Sequence, residues 1–266
     1  MGAKELFDAG NLQEAIAQLS QDVKARPQDL RSRIFLFELL CFTADFQRAT
    51  RQLDALAQIS GEVKVEMGVQ IYRHVLQAES ARGAFFNGER QPKFLSEPPP
   101  YTLLHVDAVK RLKENRLDEV ERLLNESRRV REPLKGQVDG SQFADLTDCD
   151  DLLGPFLEVL VHSDYVWLPF ERISQIEIQP PRTLRDLLWI PANVALDDQP
   201  LGEVFLPVLY YGSSEHPDDQ VKLGRRTDWK SVGEEVFLGM GQRMLLIDGA
   251  ERSLLEIRKI EFTLPS

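Results

Sequence analysis

A run of carboxylates is the first set of residues whose types and spacing could do chemistry. Asp148, Asp150 and Asp151 stand at i, i+2 and i+3, with Glu158 and Asp164 downstream. Oxygen ligands spaced this way can hold Ca²⁺ or Mg²⁺. Asp150, Asp151 and Asp164, with Arg226, could then form a metal-assisted hydrolase site. An EF-hand loop, however, needs a twelve-residue ligand pattern with a glycine sixth and a terminal glutamate. That pattern is missing, because Pro155 follows Gly154. Turn and surface roles are the plainer assignment, and the hydrolase stays as an alternative.

Other catalytic and cofactor signatures are missing from the sequence. His74, His105, His162 and His216 include no pair at a zinc-site spacing, and Cys41 and Cys149 are the only cysteines. A zinc site and a disulfide framework are therefore not expected. There is no Gly-x-Ser-x-Gly elbow, no Walker A loop and no Gly-x-Gly-x-x-Gly fingerprint. Gly239-Met240-Gly241-Gln242-Arg243 is only a fragment of a glycine-rich loop and reads as a tight turn. The expectation is a protein without catalytic residues, metal or cofactor. Arginine and tryptophan supply the remaining candidates, because they dominate interface hot spots. Arg185 and Trp189 share the stretch Leu184-Arg185-Asp186-Leu187-Leu188-Trp189, Trp229 follows Arg225-Arg226-Thr227-Asp228, and Arg243 closes the glycine fragment. These four form either a partner site or the core of their domain. Arg128, Arg129 and Arg131 fall at the end of a helical stretch, where cations complement the helix dipole.

The elements that must position these residues change character midway. Sliding the chain by 34 residues aligns Gly10 with Ala44, Asn11 with Asp45, Leu12 with Phe46, Ala15 with Ala49, Leu19 with Leu53 and Pro27 with Gly61. That is the period of a tetratricopeptide (TPR) repeat: a small residue and a turn former end helix A, and a large apolar residue opens helix B. Helices are predicted over 29–42, 46–59 and 62–84. A third helical pair is predicted around Leu103–Leu112 and Leu117–Leu124. Pro98-Pro99-Pro100 lies in an irregular connector. After Gly140 the segments become short, β-branched and aromatic, and are separated by Pro, Gly and Asp. The expected fold is α+β: a TPR-like α-α superhelix over 1–140, then a strand-rich, mostly antiparallel and barrel-like domain over 141–266.

Charge follows the same division. Residues 1–140 hold 21 basic and 21 acidic groups, whereas residues 141–266 hold 11 and 22, which is the whole net charge of −11. Such a field disfavours nucleic acid and anionic membranes and admits a basic partner. No apolar run is long enough to span a bilayer, and the N-terminus lacks a signal-peptide core. A cytoplasmic protein without membrane insertion is expected.

Several ordered motifs resemble one family. They are Asp148-Cys149-Asp150-Asp151-Leu152-Leu153-Gly154-Pro155, Trp167-Leu168-Pro169-Phe170, the stretch Leu184 to Trp189, Gly241-Gln242-Arg243-Met244 and Ile260-Glu261-Phe262. Together they are similar to the ImpE family, also called SciE or TagJ, an accessory component of bacterial type VI secretion. The resemblance implies a non-catalytic cytoplasmic adaptor. It further implies that the partner is the N-terminal helix of the small sheath subunit, with a link to the AAA+ ATPase that disassembles the sheath. It carries over no site residue. In the second repeat the concave positions of helix A are Arg31, Ile34, Glu38 and Cys41. An amphipathic helix could lay its apolar face on Ile34 and Cys41, with Arg31 and Glu38 pairing its charges.

Overall fold

The computed structural model describes residues 2–263. Its first half is helical: α1 (Ala3–Asp8), α2 (Leu12–Ala25), α3 (Leu30–Phe42), α4 (Phe46–Ser60), α5 (Val63–Phe86), α6 (Thr102–Lys113) and α7 (Leu117–Val130). The helix starts are local chemistry. The Asp29 carboxylate accepts from the backbone N–H of Arg31 and Ser32, and Asp45 accepts from that of Arg48. The turns repeat as well. Gly10, Ala44 and Asn115 all take positive φ, at +86°, +52° and +59°. After each, a backbone N–H reaches back over the last helical turn: Asn11 to Leu6, Asp45 to Leu40 and Arg116 to Arg111. The aligned Gly10 and Ala44 thus share a Schellman-type closure, and Asn115 makes a third.

Strands then take over: β1 (Gly136–Val138), β2 (Ser141–Phe143), β3 (Leu146–Asp148), β4 (Phe156–Val161), β5 (Asp164–Pro169), β6 (Ile173–Ile178), β7 (Trp189–Leu196) and β8 (Gln199–Pro207). A short helix α8 (Asp219–Lys222) precedes β9 (Thr227–Ser231), β10 (Phe237–Gly241), β11 (Met244–Ile247), β12 (Ala250–Ser253) and β13 (Lys259–Phe262). Eight strands form one antiparallel sheet in the order β2-β1-β13-β6-β7-β8-β4-β5. β12-β11-β3 and β10-β9 form two small sheets.

The α+β class is as expected, but the barrel-like closure is not found. The large sheet is open, with β2 and β5 as its ends. Closure is not needed to protect β5. Its edge is crossed by Lys93, which donates to the Tyr165 carbonyl at 3.0 Å and accepts from Trp167 N–H at 3.1 Å. Before the strand β7, which starts at Trp189, Leu184–Leu187 forms a 3₁₀ turn capped by Asp186.

The two halves share one apolar core. The second half of α5 lies on β4 and β5, where Phe85 meets the Trp167 ring edge-on at 4.9 Å. At the other end, residues 213–226 reach back to the start of the array. Asp219 accepts from Leu12 N–H at 2.9 Å, supplying the cap that Asn11 does not make for α2. Arg225 donates to the carbonyls of Phe7 and Asp8 and lies 5.1 Å over the Phe7 ring. Gly10 beside this docking takes a positive φ, which favours glycine, and the Gln220 amide occupies the space where a Cβ would lie. Among the described residues, no helix is long and apolar enough to cross a membrane.

Candidate functional site

The seam between α5 and the sheet holds a cluster of buried charges. Glu79 and Arg82 follow the apolar stripe of α5, and Glu158 interrupts the otherwise apolar strand β4. Arg82 grips Glu158 with both prongs, Nε to Oε1 at 2.8 Å and Nη2 to Oε2 at 2.9 Å. It also donates to the Leu209 carbonyl at 3.0 Å. Arg243 approaches Glu158 from the other side and lies 3.7 Å from Asp148. Tyr165 donates its hydroxyl to Glu158 at 2.5 Å and accepts from the Trp167 indole. Glu158 and Arg243 are fully buried. Burying a carboxylate and guanidinium groups this deeply is costly unless they are paired, and the opposite charges and the bidentate fork offset that cost.

Neighbouring acids respond to the same burial. Asp148 is pushed up to about 6 by desolvation, with the Arg243 charge opposing. Asp150 is pushed up to about 7 by desolvation and then by the charge of Asp148. Arg243 is drawn down to about 10 by its burial.

The second cluster joins α3 to the sheet domain. Arg185 lies 3.4 Å from Glu38 and stacks 4.8 Å over the Tyr72 ring. Trp189 donates its indole N–H to Glu79 at 2.7 Å. Glu38 is pushed up to about 7, mainly by burial, with Arg185 opposing and Asp186 adding.

The candidate partner residues therefore fall differently from the expected groove. Arg31 is exposed and Ile34 half-buried, but Glu38 and Cys41 are buried. The face of α3 offered to a partner helix is occupied by Arg185 from the same chain. A partner pairing with Glu38 would have to displace it. Arg185 and Trp189 are thus brought together with Glu38, linking the two proposed sets. Arg243 lies in the buried charge cluster, and Trp189 is also buried. Trp229 is half-exposed, with its ring 5.9 Å from Tyr210.

The carboxylates of the hydrolase alternative do not assemble. Asp150 accepts from Leu152 and Gly239 N–H, and Asp151 accepts from Phe237 N–H and pairs with Arg128. Asp164 pairs with Lys93, and Arg226 pairs with Asp218. Among the described residues no group of three His, Cys, Asp or Glu is placed to hold a metal ion. The glycine fragment is strand rather than loop. A Cβ at Gly239 would enter the Tyr210 ring, and one at Gly241 would meet the Arg226 carbonyl. Cys149 is half-buried, and burial pushes its thiol up, so it is a poor nucleophile.

Sequence reasoning missed Glu79, Arg82 and Tyr165. The available signal was a lone charge inside an apolar pattern: Glu158 within Phe156-Leu157-Glu158-Val159-Leu160, and Glu79 and Arg82 in register with Val75 and Leu76. A charge there must find a partner on folding.

Two cavities flank the seam. One of about 400 Å³ lies between the helical part and the sheet, lined by Glu79, Arg82, Trp189, Tyr211, Glu89 and Glu215 among others. The second, of about 330 Å³, is lined by His105, Arg128, Arg131, Asp145 and Cys149 among others. His105 is buried, bonded to the Leu152 carbonyl at 2.8 Å and to the Ser127 hydroxyl at 2.7 Å. Desolvation holds it down at about 4.

Comparison with known proteins places this architecture. The family profile described as ImpE protein matches residues 140–261. The type VI secretion system accessory component TagJ of Pseudomonas aeruginosa is 32% identical over 262 residues, covering 98% of this chain and 91% of the relative. The crystal structure of protein VPA1032 from Vibrio parahaemolyticus superposes with a TM-score of 0.90 at 27% identity, covering 99% of this chain and 98% of the other. The likeness spans both the helices and the strands, so the chain belongs to the ImpE family, alongside the TagJ accessory component of type VI secretion.

Proposed function

We propose that this protein is a non-catalytic, cytoplasmic adaptor of a type VI secretion system. In this reading it holds the N-terminal helix of the small sheath subunit and assists sheath disassembly by the AAA+ ATPase. Residues 1–140 act as a TPR-like receptor and residues 141–266 as its acidic support. The observation that carries the reading is the likeness to TagJ over nearly the full length of both chains. The chemistry of the seam agrees with it: its buried carboxylates are bonded to the chain's own arginines, tyrosines and backbone N–H groups.

The face for the partner helix is the outer side of α5. Val63, Met67 and Ile71 recur every four residues there and are 71%, 62% and 45% exposed. The inner side of α5, through Val69, Leu76 and Tyr72, packs into the core. An array of stacked helices leaves such a stripe at the helix that lacks its next neighbour. An amphipathic partner helix would supply that neighbour and bury the stripe. Burying one such side chain contributes about 1.5–3 kcal/mol.

Titration calorimetry with the sheath subunit's N-terminal peptide tests the reading. Met67→Asp is on the surface and should fold normally, while weakening binding by about tenfold or more, since each ~1.4 kcal/mol is one decade. Unchanged affinity in folded Met67→Asp removes this face. No binding by the unaltered chain removes the sheath-helix reading itself.

A further inference from the structure

The cavity between the helical part and the sheet has a definite chemistry. Its lining includes the buried Glu79, Arg82, Trp189, Leu209 and Phe42 and the more open Tyr211, and Glu89 and Glu215 stand exposed at its rim. The Glu79 side chain is only 9% exposed. Its Oε1 accepts from the Trp189 indole at 2.7 Å and, at the longer distance of 3.5 Å, from Arg82 Nη1, while Oε2 has no hydrogen-bond partner among the described residues. Arg82 gives its two short bonds to Glu158 and a third to the Leu209 carbonyl, so only its Nη1 faces Glu79. Three carboxylates, Glu79, Glu89 and Glu215, against the single arginine Arg82 make the lining acidic. Tyr211 and Trp189 give it aromatic surface. Tyr211 is held flat by stacking on Phe86, at 4.4 Å and 7°.

We infer that this cavity is an arginine pocket: it receives a guanidinium side chain presented by a protein partner, with Glu79 as the buried counter-ion and Tyr211 and Trp189 as its aromatic walls. The inference rests on the adaptor reading for the existence of a partner, but not on where the partner's helix lies. The same chain already builds this arrangement next door, where Arg185 pairs with Glu38 while stacking on Tyr72. A planar guanidinium suits it better than an ammonium, because it can stack on a ring while its N–H fork meets a carboxylate. The volume of about 400 Å³ falls in the range of ligand pockets and exceeds what one side chain fills, leaving room for adjoining backbone. The negative field of the second half would steer such a basic segment toward the rim.

The test uses the full chain and two small probes, N-acetyl-arginine methylamide and its neutral isostere N-acetyl-citrulline methylamide. The readout is the nuclear magnetic resonance of the Trp189 indole N–H, which is bonded to Glu79. The arginine probe should shift this resonance saturably, and the citrulline probe should leave it in place at the same concentrations. Glu89→Gln/Glu215→Gln alters only exposed rim residues and should weaken the arginine response about threefold or more, and further as salt is lowered in the unaltered chain relative to the variant. Glu79→Gln should abolish saturation while the variant keeps its fold. No movement up to the solubility of the arginine probe, or an equal response to citrulline, overturns the pocket. No secretion component enters this titration. A negative result here leaves docking on α5 standing, and an inert Met67→Asp leaves the pocket standing.

Discussion

Glu158→Gln isolates the buried charge cluster better than any other change. Glutamine keeps the shape of the side chain and removes only the charge. It leaves Arg82, 5% exposed, and Arg243, fully buried, facing an amide. The amide can still accept from one Arg82 prong, but its N–H₂ group opposes a second donor. Breaking a buried ion pair by removing one partner costs about 3–5 kcal/mol, because the remaining charge is stranded out of water. That is a large share of the roughly 5–15 kcal/mol that holds a typical domain folded. Urea unfolding at pH 7.5, followed by far-ultraviolet dichroism and by tryptophan fluorescence, measures the loss. Trp167 reports on the cluster through its bond to Tyr165. Coincident transitions by the two probes would justify a two-state treatment. The expected result is a loss of about 3–5 kcal/mol, with Glu158→Gln combined with Arg82→Met losing clearly less than the two single changes added together. A Glu158→Gln variant within about 1 kcal/mol of the parent would refute the claim that this cluster joins the two halves.

Further outcomes follow from the same structure. Glu38, Asp150 and Asp148, held at about 7, 7 and 6, bind protons in the folded chain that the unfolded chain releases near pH 4. The stability they contribute is full below the unfolded value and is lost as pH rises through 6–7, so the urea midpoint should rise on going from pH 8 to pH 6. His105, at about 4, acts in the opposite direction and limits that rise below pH 6.5. Glu38→Gln should flatten the profile, and an unchanged profile would count against the raised Glu38. Ala44 is a non-glycine at φ +52° in the turn between α3 and α4. Ala44→Gly should therefore stabilise by about 0.5–1 kcal/mol in the same unfolding assay.

The helical half was legible in the sequence because its rules are local. A small residue before a turn former, an Asp before α3 and α4, and apolar spacing of three and four placed α3, α4 and α5 to within two residues of where they lie. Strands β4 and β6 were equally plain, β4 as an apolar run broken only by Glu158 and β6 as Ile173, Ile176 and Ile178 among polar residues. Strands of three to five residues, such as β1, β3, β9 and β12, carry too few positions to show a period. Chain order also does not encode the order of strands across a sheet. β1 and β13 pair Gly136 with Phe262, a register that folding alone sets.

The candidate site divides in the same way. The carboxylate run, the Arg185–Trp189 stretch and Arg243 were visible as motifs, and so was the acidity of the second half. What those motifs do was decided in three dimensions. Asp150 and Asp151 became acceptors for Gly239 and Phe237, and Arg243 became a buried counter-ion. Glu38 was claimed by Arg185 before any partner could reach it. The sequence by itself determined the helical first half, the charge division and the family, because each is written in residues near one another or in order along the chain. Only the tertiary structure joined Glu79, Arg82, Glu158 and Arg243, because a buried charge takes whichever opposite charge the packing of distant elements brings within reach.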